Sequence, residues 1–177
     1  GYSGGGRGLI EKWEDPDGGL VGLPFEAPYA LDRIHKHVPE MTRWSGLSRA
    51  PVFVPAVGAY RCGMRVQVPI PTTTLANGVT AKTIWEALDT RYRGEPFVRV
   101  RPIDEALEID ELYFDPRSCN DTNRMELHVV PNPAGHVLLI AVLDNLGKGA
   151  AGVAIQNLNL MLGLPELGFL SDDQETF

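Results

Sequence analysis

The chain has 177 residues, enough for one domain with a real core or two very small ones. Apolar residues make up 44% and charged residues 22%, an ordinary globular composition, and no apolar run is long enough to span a bilayer. A formal net charge of -7 argues against a nucleic-acid or anionic-membrane partner.

Residues 1–29 are rich in Gly, Pro and acidic side chains, so they read as loop with one short helical stretch around Leu9–Trp13. In "HKHVPEMTRWSGL" Pro39 and Glu40 suit the first turn of a helix that runs to about Trp44 and closes at Gly46. "APVFVPAV" and "GMRVQVPI" read as strands; in the second, Met64, Val66 and Val68 alternate with Arg65 and Gln67, the mark of a half-buried strand. "TAKTIWEALDTRYRGEP" reads as an amphipathic helix capped by Thr80, with Ile84, Leu88 and Tyr92 on one face and Gly94 and Pro96 at its end. "FVRVR" is a short strand, and "RMELHVVPNPAGHVLLIAVL" a β-hairpin turning at "PNPAG". "DNLGKGAAGVAIQNLNLMLGLPE" reads as one long helix, apolar on most sides and packed between other elements. Strands and helices mix without a strict β-α-β rhythm. The expected fold class is therefore α+β, with a mixed, largely antiparallel sheet covered by helices, in a single domain over 1–177.

Four stretches carry candidate chemistry. "GYSGGGRG" has P-loop glycine spacing, but Arg7 stands in place of Lys and Gly8 in place of the hydroxyl, so a flexible turn is the simpler reading. "HKHVPE" offers His35, His37 and Glu40, which fit a packed histidine pair at a helix entry, a general base with its carboxylate, or a metal site. "LDNLGKGAAG" sets Asp144, Asn145 and Lys148 at a strand-to-helix junction, either as helix caps or as groups facing a ligand. "SCNDTNRMEL" reads as a polar loop in which Cys119 is an inert thiol, and Cys62 reads as a small core residue. Two cysteines make neither a disulfide framework nor a zinc pattern, which points to a reducing compartment: the cytoplasm, or a plastid or mitochondrion in a eukaryote.

"GYSGGGR", "HKHVPEM", "PAVGAYRCGMRVQVPI", "SCNDTNRMELHVVPN" and above all "LDNLGKGAAGVAIQNLNLMLGLPE" resemble N-acetyl-γ-glutamyl-phosphate reductase, in the shorter of that family's two sequence types. The resemblance runs in order over nearly the whole chain. The family stands with aspartate-semialdehyde and glyceraldehyde-3-phosphate dehydrogenases. It implies a catalytic and dimerisation domain like theirs, and reduction of an acyl phosphate to an aldehyde with NADPH in arginine biosynthesis. In that chemistry a cysteine thiolate attacks the acyl phosphate, hydride reduces the thioester, and a histidine manages protons.

The resemblance makes His37 the catalytic histidine and Glu40 the carboxylate that steadies it, with His35 a member of the same motif. It sets Ser3 and Gly4 near the nicotinamide end of NADP and Asn145 against the nicotinamide amide. Arg7, Arg61 and Arg65 become candidates for the substrate carboxylate or phosphate. The family's "NPGCY" stretch, which holds the nucleophile, and its G-x-G-x-x-G Rossmann domain are not found here. With Gly at its first position the chain reads as a piece of a longer protein, expected to be inactive alone, to pair with its own Rossmann domain through the last helix, and to form a homo-oligomer. The rival readings are a non-catalytic oligomerisation module of the same fold and a metal-binding domain built on His35, His37 and Glu40.

Overall fold

The computed structural model describes residues 1–18, 25–104, 114–168 and 170, so part of the loop expected over 1–29 lies outside the described residues. The chain divides into two compact units, Gly1–Arg61 and Cys62–Phe177.

The first unit opens with a 3-10 turn, Tyr2–Gly5, and helix α1, Arg7–Trp13. Its core forms where the Tyr2 and Trp13 rings stack with centroids 5.6 Å apart, against Val57. Strand β1, Glu26–Pro28, pairs antiparallel with β2, Ala56–Gly58. Only this end of the expected strand "APVFVPAV" forms, because Pro51 and Pro55 have no N–H to give a ladder. The N-terminal turn is fastened by backbone bonds from Tyr2 N to Tyr60 O (2.8 Å) and from Ser3 N to Arg61 O (3.1 Å). Helix α2, His37–Trp44, lies between the two strands in sequence and buries none of its residues. It stops where Leu47 N bonds Thr42 O and Gly46 N bonds Arg43 O. That cap needs the left-handed φ of +64° that Gly46 supplies.

The second unit is built on a four-stranded sheet in the order β3-β6-β5-β4, comprising Met64–Ile70, Val137–Leu143, Met125–Pro131 and Val98–Val100. β6 pairs antiparallel with both β3 and β5, and β4 runs parallel to β5. Helix α3, Ala81–Tyr92, packs on β4 and β5 and is tied to the sheet end by Trp85 Nε1 donating to Arg101 O at 2.9 Å. Thr80 caps α3 in a reciprocal box with Thr83, as its position before the apolar face predicts. On one sheet face Ile140 and Val142 pack with the fully buried Cys119, joined by Phe114, Val130 and Leu138. Phe97 and Val129 complete the best-buried set. This is the α+β, largely antiparallel architecture expected from the sequence.

Two expectations change. β3 is an edge strand, and its alternation does not translate into a buried face: residues 65–69 are all exposed, with Val66 and Val68 among them. The long helix expected from Asp144 onward is a π-turn, Gly147–Ala151, followed by helix α4, Gly152–Met161. The π-turn follows from close packing, since a Cβ at Gly147 would sit 2.8 Å from Thr122 O. The helix ends early because Leu164 N bonds back to Asn159 O, just ahead of Pro165. Most of its apolar side chains, including Leu158, Leu160 and Met161, are exposed rather than packed.

Candidate active site

In the first unit the H-x-H spacing produces a specific local structure. Lys36, at the N-cap of α2, supplies no side-chain cap. Its helical φ and ψ instead carry the His35 ring over the start of the helix, where Nδ1 accepts the His37 N–H at 3.2 Å. A free N–H at a helix start needs such an acceptor. The two imidazoles meet edge-on with centroids 4.8 Å apart, and His35 also touches Phe53 (5.1 Å) and Tyr29 (5.8 Å). Desolvation, then His37, then Lys36 hold the His35 pKa below its ordinary value. His37 and Glu40 are exposed, and Glu40 has no hydrogen bond or ion pair among the described residues. As an acidic residue in the first turn, Glu40 complements the helix dipole. A cavity of about 580 Å³, lined by His35, Val38, Pro39, Thr42, Arg43 and Phe53 among others, opens beside α2; His37 is not part of its wall.

Ser3 is buried in the N-terminal turn, while Gly4 beside it is exposed. Arg7 is paired with Glu11 at 2.7 Å, and Arg61 lies 3.5 Å from Glu14, which also accepts the Tyr2 hydroxyl. Both arginines are exposed, so these pairs are weak and open to exchange with a ligand anion.

In the second unit Asn145 is the second residue after β6, and its Oδ1 accepts the Gly63 N–H at 2.8 Å. Buried Asp144 beside it accepts from Leu146 N (2.8 Å) and Asp121 N (3.0 Å), binding the strand end to the loop before β5. Lys148 donates to Gln156 Oε1 at 2.6 Å and lies over the Phe97 ring, and Gln156 Nε2 donates to Glu166 at 2.7 Å. Burial pulls the Lys148 pKa down, against the charges of Glu166 and Glu95. Arg65, exposed on β3, donates to Phe114 O at 2.7 Å. The Cys119 thiol is pushed up, by burial first and then by Glu126, as suits an inert core sulfur. Cys62 is half-buried, with Sγ 3.4 Å from Asn120 Nδ2. Among the described residues no three His, Cys, Asp or Glu side chains are grouped to hold a metal ion, His35, His37 and Glu40 included. No helix among them is long and apolar enough to cross a membrane.

Residues 1–145 match the family model described as the semialdehyde dehydrogenase dimerisation domain. The chain belongs to this family. It is 46% identical over 172 residues to N-acetyl-gamma-glutamyl-phosphate reductase 2 of a Nostoc species, covering 94% of this chain and 53% of that protein. It is 46% identical to the N-acetyl-gamma-glutamyl-phosphate reductase of Burkholderia cenocepacia, with 92% and 51% covered. The reductase 2 of Pseudomonas putida is 43% identical over the same shares. The chain thus spans about half the length of the curated relatives it matches. The resemblance carried by the motifs and the family model agree.

Within this semialdehyde dehydrogenase domain some participants had no signal in the sequence. Phe53 and Tyr29 reach His35 only through the fold. Gln156 was hidden because it lies eight residues beyond Lys148, outside the i, i+3 and i, i+4 spacings of a regular helix, with the π-turn at the start of the stretch between them.

Proposed function

We propose that the chain is the C-terminal catalytic and dimerisation part, over residues 1–177, of a cytoplasmic NADPH-dependent reductase. The reaction is conversion of N-acetyl-γ-glutamyl phosphate to N-acetylglutamate semialdehyde. The observation that carries this reading is 43–46% identity to proteins of that name across 92–94% of the chain. The exposed His37 at the start of α2 supports it, since a proton-handling imidazole must reach substrate.

In this reading His37 moves the proton and Glu40, one turn along, stabilises the imidazolium. Arg7, Arg61 and Arg65 are the candidate guanidinium groups for the substrate carboxylate or phosphate. In this reading, as the resemblance implies, the nucleophilic thiolate and the dinucleotide-binding fold are supplied from outside residues 1–177. Buried Cys119 is unsuited to the nucleophile's part. When bound, NADPH supplies the hydride. In this reading the carboxamide of Asn145, whose Oδ1 accepts the Gly63 N–H, is of the type that would meet a nicotinamide amide, and the resemblance assigns the same end of the cofactor to Ser3 and Gly4.

The isolated chain is expected to show no NADPH consumption with the acyl phosphate. In the full-length protein His37→Asn should lower kcat by about 10²–10⁴-fold. Turnover by the chain alone would overturn the placement of the nucleophile outside it, whereas a His37→Asn enzyme at the wild-type rate overturns the catalytic reading. A pure self-association module would then be favoured by the exposed Val66 and Val68 on the edge strand β3.

A further inference from the structure

We propose that His35 is a positioning residue for His37: it caps the first residue of α2 as a neutral imidazole and holds the neighbouring ring edge-on. The inference rests on the reading of His37 as the proton-handling group, and it assigns a separate duty to the first histidine of the pair.

The hydrogen bond decides the protonation state. Nδ1 of His35 accepts the His37 N–H, so it must carry a lone pair and the ring proton must sit on Nε2. An imidazolium donates from both nitrogens and would repel that N–H. The cap and the charged ring therefore exclude each other. The surroundings favour the neutral form. Tyr29, from the end of β1, and Phe53, from the segment before β2, press ring edges on one imidazole. The ionisable groups around it are Lys36 beside it, His37 and Arg43 on α2, Arg33 on the preceding loop, and Tyr29. Lys36, Arg33 and Arg43 are cationic, and no carboxylate is among this set.

The depressed pKa of His35 fits this, with burial as the larger cause. Its folded pKa lies below the unfolded value. As pH falls, the unfolded chain takes up the proton first, so the cap is fully present above the unfolded value and is lost as pH falls through the folded one. Above that range His35 stays a fixed acceptor and leaves proton handling to His37. The Lys36 backbone between them sets the approach of the rings, and Thr42 Oγ1 donating to Val38 O at 2.8 Å ties the next turn.

Long-range nitrogen–proton NMR of the chain at pH 7 reads the tautomer directly. The expected result is an unprotonated Nδ1 and a protonated Nε2 on His35. Amide exchange at His37 should quicken about fivefold in His35→Phe, which keeps a ring but no acceptor, and stay near wild type in His35→Asn, whose Oδ1 accepts from the same N–H. In the full-length enzyme His35→Phe should lower kcat about ten- to a hundred-fold at unchanged KM, with His35→Asn restoring most of it. A protonated Nδ1 at pH 7 overturns the proposal even if neither variant folds. Equal loss in both folded variants overturns it as well. If His37→Asn alone keeps full activity while the tautomer is as expected, the catalytic reading fails and the cap stands.

Discussion

The two units hold their candidate groups by different means. In the first, the core is a small cluster around Tyr2, Trp13 and Val57, while Phe25, Ile34, Trp44 and Val52 remain 83%, 81%, 79% and 95% exposed. Two three-residue strands enclose little interior. His37 accordingly stands on a helix with no buried residue, ordered by local devices: the His35 cap at one end and the Gly46 turn at the other. In the second unit Asn145 leaves a strand of the buried sheet and is held by Gly63, 82 residues away in sequence. A side chain placed by neighbours in sequence depends on spacing. One placed across a sheet depends on the whole unit.

Large core substitutions break this contrast most directly. Phe97→Ala, at a 1% exposed position, should destabilise the second unit by about 3–5 kcal/mol, measured by urea unfolding. Trp13→Ala should remove amide-exchange protection from α1 and the β1–β2 ribbon and leave the sheet amides of β5 and β6 protected. Equal loss in both units would show that they unfold as one. Gly63→Ala tests the long-range tether: at φ +114° its Cβ would lie 2.5 Å from Pro116 O, so a cost of about 1–3 kcal/mol is expected, with displaced Asn145 side-chain resonances. Thr80→Ala, which removes a purely local cap, should cost about 1 kcal/mol by thermal melting. The smallest effect is electrostatic. The Arg117 hydrogen bond holds the Asp115 carboxyl below its usual pKa, so its stabilisation is present above the unfolded value and fades as pH falls through the folded one. Arg117→Gln should flatten that part of the acid-stability profile.

Elements with local punctuation were legible. α3 has its Thr80 cap and Gly94 stop, the β5–β6 hairpin has "PNPAG", and α2 has Pro39, Glu40 and Gly46. Elements whose limits depend on neighbours were not. β2 is short because prolines bar the rest of its stretch from pairing. β3 is exposed because it lies at the sheet edge, although its alternation is that of a half-buried strand. The start of α4 is a π-turn because Gly147 and Gly152 pack against Thr122 and Asn123. The candidate site divides the same way. The histidine pair and its carboxylate stood out from their spacing, but the direction of the His35 hydrogen bond did not.

The sequence by itself determined the α+β class, the main helices, the hairpin and the motifs that carry the family, because each rests on residues within one turn or one strand of each other. Only the tertiary structure decided the sheet order, the two-unit division, the partner of Asn145 and the aromatic setting of His35. Those depend on residues far apart in the chain, and burial and hydrogen-bond geometry choose among many pairings that local pattern leaves equal.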